Sequence, residues 1–434
     1  SSDVCSSDLK NIAAQGMVLM ENKNNSLPIS AKKGTRVALF GQGVYNTIKG
    51  GTGSGAVNQR DNVTIQQGFE NAGYDIVDTD LIDQMQALWR QDGGGSGGGM
   101  FSSNWVNERS YADVDGALEK VDAAAEQTDT AIYVISRNSG EFRDRTATAG
   151  DYYLSADEQA NLTVLGQKFD NVVVVLNVGG IIDTKFFDEI KGLDSMLLMS
   201  QAGMTGGDAL VEVLNGTVNP SGKLTDTWPV NFDDNPSSAT FANNDGNTAQ
   251  EVYNDDIFVG YRYYDTFGKD VAYEFGYGGS YTKFAMNTQS VTADKDKVTV
   301  KVKVKNTGTV SGKEVAEVYF SAPEGNLDKP YQELAGYAKT DELAPGESQV
   351  LTITYDTTEM GSYDTDKAAY VMEDGDYIIR VGNSSRNTHV AGKISVAEDT
   401  ITEQYSNLMV PVTENPNVAD DEKYPTLEPM TTEG

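Results

Sequence analysis

The chain has almost no histidine or cysteine: His389 is the one imidazole and Cys5 the one thiol in 434 residues. Zinc sites of Cys and His, Cys–His nucleophile pairs and Ser-His-Asp triads are therefore excluded from its core, as is a disulfide framework. Cationic side chains are scarce too, with 33 Lys and Arg against 65 Asp and Glu and a formal charge of −32. No basic stripe offsets this, so nucleic acid, anionic lipid and acidic substrates are poor partners, whereas a neutral one is tolerated. Long apolar runs are also missing. Val172–Leu176 and Met196–Met199 fall far short of the about 20 residues that a membrane span needs. Any chemistry must use carboxylates, Lys, Tyr or backbone. No EF-hand spacing occurs, and neither a metal site nor a cofactor is expected, although an oxygen-ligated ion such as Ca²⁺ stays open.

What the chain does have is a globular composition, 38% apolar and 23% charged, over a length that accommodates two or three domains. Residues 1–9 repeat Ser-Ser-Asp and show no link to the pattern that follows. They resemble translated adapter sequence and are set aside, and Cys5 with them.

Over residues 10–229, short apolar strands alternate with amphipathic helices. Strands are expected at Val37–Phe40, Tyr74–Val77, Ala131–Ser136, Val172–Asn177 and Met196–Ser200. Ile65, Phe69 and Ala72 recur at helical spacing and stop at Gly73. Ser155 with Glu158 forms a capping box ahead of Leu162, Leu165 and Phe169, and another helix is expected near Val114–Ala125. Strands too apolar to alternate, separated by helices, predict an α/β layered sandwich with a mostly parallel sheet covered on both faces. Gln91–Gly99 reads as a flexible glycine-rich insertion.

Residues 230–282 begin as a polar loop and become dense in aromatics, from Tyr253 and Phe258 to Tyr277 and Tyr281. So many rings cannot all face one ligand, so packing between two domains is the expectation over a sugar-stacking platform. From 283 to 397 the period changes to two. Val298, Val300, Val302 and Val304 alternate with Thr299, Lys301, Lys303 and Lys305. Similar runs at Val315–Phe320, Val350–Tyr355 and Tyr377–Val381 predict an all-β sandwich of immunoglobulin-like size. Residues 398–434, acidic and containing Pro416, Pro425 and Pro429, read as a tail or linker.

The strand Ala131–Ser136 opens into Arg137-Asn-Ser-Gly-Glu141-Phe-Arg-Asp144-Arg145. A carboxylate just past a buried strand, among Gly, Arg and Asp, sits where acid/base residues are often placed. On spacing alone an ordinary charged loop is the commoner reading. Lys49-Gly-Gly-Thr-Gly53-Ser54-Gly55 lacks the Walker spacing, and Gly41-Gln-Gly43 is followed by Asn46 where a dinucleotide fingerprint needs glycine. Nucleotide binding is set aside in favour of close backbone approach to a bulky neutral ligand.

Taken together, several motifs resemble glycoside hydrolase family 3. They are Ala14-Gln-Gly-Met-Val-Leu-Met-Glu-Asn22 with Leu27-Pro28, the Lys49–Gly55 loop, Ser136-Arg-Asn-Ser-Gly-Glu141 with Asp144-Arg145, and Asn219-Pro-Ser-Gly-Lys-Leu224. Val259-Gly-Tyr-Arg-Tyr-Tyr-Asp265, Glu274-Phe-Gly-Tyr-Gly278 and Lys305-Asn-Thr-Gly308 continue the series. The resemblance covers Asn11–Val396 and implies an α/β sandwich followed by a fibronectin type III-like domain. It implies retaining hydrolysis of β-linked glycosides or oligosaccharides, β-glucosidase-like. An aspartate nucleophile would stand on a (β/α)₈ barrel, and the acid/base carboxylate would come from the sandwich. Glu141 matches that carboxylate, and the role requires it to protonate the departing oxygen and later activate water. Ser54 matches a position that reaches a sugar hydroxyl, with Lys49 and Gly53 in the same substrate loop. Asp144 and Arg145 are expected to brace the Glu141 loop.

The sequence departs from the family at three points. Phe142 follows Glu141 where many relatives have glycine, and Gly279 replaces an aliphatic residue. No barrel or nucleophile motif is present, because one layered region is too short for eight βα units. The chain thus reads as half an active site, inactive alone, with the barrel expected after Gly434 rather than before Lys10. A non-catalytic carbohydrate-binding or scaffolding module, in which Glu141 is only a surface carboxylate, is the alternative. Glucoside, xyloside and arabinoside remain open.

Overall fold

A run such as Val172-Val-Val-Val-Leu176 has no wet face, so it needs cover on both sides. The computed structural model describes residues 2–57, 61–95, 106–141, 144–241, 245–249, 253 and 255–408. It places that run, fully buried, in the middle of a sheet. Ser96–Gly99 of the glycine-rich insertion, Phe142 and the tail from 409 lie outside the described residues.

The sheet contains β1 (Val18–Asn22), β2 (Arg36–Phe40), β3 (Asp75–Ile76), β4 (Thr130–Arg137), β5 (Asn171–Val178) and β6 (Ser195–Leu198). Their order is β1-β6-β5-β4-β2-β3. From β3 to β6 every pairing is parallel, and β1 adds an antiparallel edge. The connecting helices are α1 (Ser2–Gly16), α2 (Ile65–Asn71), α3 (Thr79–Gln91), α4 (Ala117–Ala125), α5 (Ala156–Lys168), α6 (Phe186–Glu189) and α7 (Gly206–Leu214). Residues 2–9, set aside on sequence, continue α1. Leu9 and Ile12 on it are exposed, and Ala14 is buried.

Alternation along each strand splits the core. Ala131, Tyr133 and Ile135 pack with Val121, Leu162 and Phe186 of α4, α5 and α6. Ile132 and Val134 face Phe69 of α2 and Leu210 of α7. Local chemistry sets the helix ends. Ser155 and Glu158 cap α5 reciprocally as expected, and Thr64 with Gln67 does the same for α2. Gly73, at φ +80, supplies the left-handed turn after α2.

Beyond the sheet, β7 (Trp228–Pro229) pairs with β8 (Val271–Tyr273), and α8 (Tyr261–Thr266) lies between them in the chain. The aromatic stretch reaches in both directions. Tyr273 and Tyr277 hydrogen-bond Glu21 and the Met20 carbonyl, each at 2.9 Å. Tyr261 stacks on Phe275 and meets Tyr319.

The period-two region then builds strands from β9 (Phe284–Ala293) and β10 (Lys297–Asn306) through β11 (Val315–Ser321), β12 (Glu333–Lys339) and β13 (Ser348–Asp356). It continues with β14 (Ser362–Asp364), β15 (Ala369–Met372), β16 (Gly375–Gly382), β17 (Thr388–Val396) and β18 (Thr400–Gln404). Sheets β13-β10-β9 and β12-β11-β16-β17 enclose one core, with Val298, Val300, Val302 and Val304 fully buried. β18 falls in the stretch read as tail, and it pairs with β15.

Two of the buried carboxyls in the layered region, Glu108 and Asp78, hold their protons above the ordinary range. Glu108 lies between the hydroxyls of Tyr45 and Tyr111, each at 3.3 Å, and burial pushes it up to about 8. Asp78 accepts the Leu39 N–H at 3.0 and 3.1 Å, yet burial still raises it to about 7. Above the ordinary carboxylate range, the unfolded chain has released these protons while the folded chain still holds them. Stability should therefore fall as pH rises from about 5 to about 8 and then level off. Urea unfolding across that window checks this. Glu108→Gln should flatten the slope, and an unchanged slope would refute the assignment.

Candidate active site

Growth of the sheet reverses between β2 and β4: the chain goes from β2 outward to β3, then returns to β4 on the other side and moves on to β5 and β6. Helix α2 covers one face and α5 the other. The loops leaving β2 and β4 thus part in opposite directions at their carboxyl ends, which is where open α/β sheets form a crevice. Ser54 lies in the first loop and Glu141 in the second.

The loop after β2 is laid against β4. At Gly41 (φ +87) a Cβ would strike the Val134 carbonyl, and at Gly43 it would strike the side chains of Val134 and Ser136. Only glycine fits such an approach. Asn177, buried at the end of β5, then clamps the loop with its amide. It accepts the Ile48 N–H at 2.7 Å and donates to the carbonyls of Ile48 and Ser200, both at 2.8 Å. Residues 49–55 are thereby held over the end of β4.

The loop after β4 is anchored by Arg137, 1% exposed. Its guanidinium forms two 2.7 Å bonds to the Glu158 carboxylate and donates to the Asp151 carbonyl at 2.7 Å. Burial works against its charge, but the adjacent Glu158 outweighs that and holds it above its ordinary value. Glu158 also caps α5, accepting the Ser155 N–H at 2.8 Å. Arg145 pairs with Asp151 and donates to the Asn138 carbonyl at 2.5 Å, drawing the two ends of the loop together.

The two loops meet edge to edge. Thr52 donates its N–H to the Ser139 carbonyl at 2.7 Å and its hydroxyl to the Glu141 carbonyl at 3.0 Å. Ser54 donates both its N–H and its hydroxyl to Glu141 Oε2, each at 3.1 Å. Gly53, at φ +67, lies so close that a Cβ would collide with the Glu141 side chain. Glu141 and Ser54 are both exposed.

Of the residues expected from sequence, Ser54, Gly53 and Glu141 are therefore brought together. Lys49 is half-buried and contributes its carbonyl, which accepts the Gly203 N–H at 2.9 Å. Arg145 touches the loop that carries Glu141, and Asp144 beside it is exposed. Sequence reasoning missed Thr52, Asn177 and the second role of Glu158. A lone Asn closing a run of valines and an Arg closing an apolar strand were the available signals. Among the described residues, no cluster of three His, Cys, Asp or Glu is placed to hold a metal ion, and no helix is long and apolar enough to cross a membrane.

Residues 17–281 match the family described as "Glycosyl hydrolase family 3 C-terminal domain", and residues 314–385 match "Fibronectin type III-like domain". The chain is 36% identical over 470 residues to beta-glucosidase A of Butyrivibrio fibrisolvens, covering 97% of this chain and 55% of that protein. It is 38% identical over 409 residues to a beta-glucosidase of Ruminococcus albus, covering 93% and 42%. It thus spans about half the length of these curated relatives. Among solved structures, a beta-glucosidase from Paenibacillus barengoltzii superposes with TM-score 0.84 at 38% identity, covering 92% of this chain and 44% of that one. Beta-glucosidase 3B from Thermotoga neapolitana in complex with alpha-D-glucose gives 0.81 at 36%, covering 91% and 54%.

The Arg137–Glu158 pair makes a direct prediction. Arg137→Ala leaves Glu158 buried and unpaired and should cost about 3–5 kcal/mol in urea unfolding. Arg137→Met with Glu158→Leu removes both charges and should recover most of that loss. Equal instability of the single and double variants would show that the pair is not what the fold relies on there.

Proposed function

The chain belongs to glycoside hydrolase family 3, and from that premise we propose that it carries the acid/base half of a retaining β-glucosidase active site, with Glu141 as the acid/base. The observation that supports this best is the Ser54–Glu141 contact. An exposed carboxylate at the sheet's reversal point is held by two donors from a second loop. Both donors fall on Oε2, so the proton delivered to the glycosidic oxygen is carried on Oε1. The bond from the anomeric carbon to the leaving oxygen breaks as that proton arrives, while a carboxylate nucleophile bonds to the anomeric carbon. In the second half-reaction Glu141 takes a proton from water, which displaces the enzyme carboxylate and releases the sugar.

The nucleophile belongs to a (β/α)₈ barrel outside these 434 residues, its carboxyl about 5–5.5 Å from that of Glu141. A hydroxyl that donates to Glu141 can still accept a bond, so Ser54 can serve a sugar hydroxyl at the same time. Thr52, Gly53 and Lys49 shape that loop, and Asp144 and Arg145 brace the other. The beta-glucosidases among its relatives favour a terminal β-glucoside as substrate.

The isolated chain should not turn over an aryl β-glucoside, and efficient turnover would sink the proposal. Rejoined to a barrel, Glu141→Gln should slow hydrolysis by about 10²–10⁴-fold. The loss should shrink for a dinitrophenyl leaving group, which needs no protonation. A uniform small effect across leaving groups would instead favour a module in which Glu141 is a surface carboxylate.

A further inference from the structure

A second crevice lies one strand along the same sheet edge. It is a cleft of about 390 Å³ at the carboxyl ends of β5 and β6, within the usual range for a small-ligand site. Gly179 and Gly180 form one wall, Gln201, Thr225 and Asp226 supply polar groups, and Trp228 closes an apolar side. It is built next to the Glu141 loop. A Cβ on Gly179 would strike the Ser139 hydroxyl and come within 2.5 Å of the Gln201 amide nitrogen, so the two side chains converge over that glycine.

Several features set this cleft apart from an ordinary surface hollow. Ser200 holds a left-handed backbone (φ 55), unusual for a residue with a Cβ, and its carbonyl accepts a bond from the Asn177 amide at 2.8 Å just before Gln201. The Gln201 amide nitrogen is sealed off and makes no hydrogen bond among the described residues, so it carries the cost of an unmade bond. Asp226 keeps an exposed face, yet burial by the surrounding walls raises its carboxyl from the ordinary value. Lys223 does not neutralise it, being paired with Glu314 at 2.9 Å.

These groups select the ligand. An ammonium ion would suit Asp226 but offers no acceptor to Gln201. An anion would suit Gln201 but is repelled by Asp226 and by the net charge of −32. A neutral vicinal diol satisfies both, donating one hydroxyl to the carboxylate and accepting the amide N–H on the other after a small rotation. Its C–H face can lie on the apolar wall. We propose that this cleft is a second saccharide site, taking a neutral pyranose. It stands apart from the hydrolytic reading, because neither Glu141 nor Ser54 takes part in it.

Saturation-transfer NMR and calorimetric titration of the 434-residue chain with glucose and cellobiose test this. Asp226→Asn and Gln201→Ala should each weaken binding about tenfold or more. Gly180→Leu should abolish it by filling the cleft, since Gly180 has no left-handed φ and its Cβ would meet only Arg145 at 3.5 Å. Melting curves matching the parent exclude unfolding as the cause. No binding to the parent chain overturns the proposal. So does binding that survives Asp226→Asn and Gly180→Leu but is lost in Ser54→Ala, which would put the sugar at the Glu141 loop.

Discussion

A parallel strand is rejoined to its neighbour by a right-handed crossover, so a sheet that grows both ways from one strand must place its connecting helices on opposite faces. That constraint governs the layered region of this chain. Because β3 lies on one side of β2 and β4 on the other, α2 and α5 fall on different layers. The loops that leave β2 and β4 belong to different layers, and they meet at the carboxyl edge, over the end of β4, through Thr52 to Ser139 and Ser54 to Glu141.

What fills that edge is held by a few buried polar groups rather than by apolar packing. Loops have no ladder to satisfy their backbone, so side chains must do it. Asn177 acts as a stretch of backbone, taking and giving a bond to Ile48 and reaching the next loop at Ser200. Arg137 does the same with more donors, binding Glu158 and the Asp151 carbonyl from within the core. A buried ion pair gains little net stability over a well-packed apolar pair. Its contribution here is positional: it fixes where β4 ends and where the Glu141 loop begins, and it ties that point to the cap of α5.

The elements that were plain in the sequence are those whose signal is local. Val298 to Val304 alternate with polar neighbours and form one half-buried strand. Ser155 and Glu158 announce their helix, and Val172–Leu176 announces a strand covered on both sides. β1 was not anticipated, since Val18-Leu-Met-Glu-Asn22 is short and acquires its partner, β6, from the far end of the layered region. β18 was read as tail for the same reason: its exposed, alternating polar residues become a strand only through pairing with β15. The candidate site shows this most clearly. Ser54 and Glu141 are 87 positions apart, and no periodicity links them. Their association came from family resemblance; of the residues that hold them, Thr52 carries no local signature, and Asn177 shows only as a lone amide closing a run of valines.

The crevice that results has fixed geometry and an open roof. Two donors orient the Glu141 carboxylate from below, and a glycine without room for a Cβ lies against its side chain, yet the carboxylate itself is exposed. An acid/base residue of a retaining hydrolase must give up and regain a proton within each cycle. On the proposed reading the two Ser54 donors hold Oε2 and leave Oε1 to meet the glycosidic oxygen. What this chain supplies on that reading is position, since loops from two layers meet over one strand end and fix the carboxylate between them.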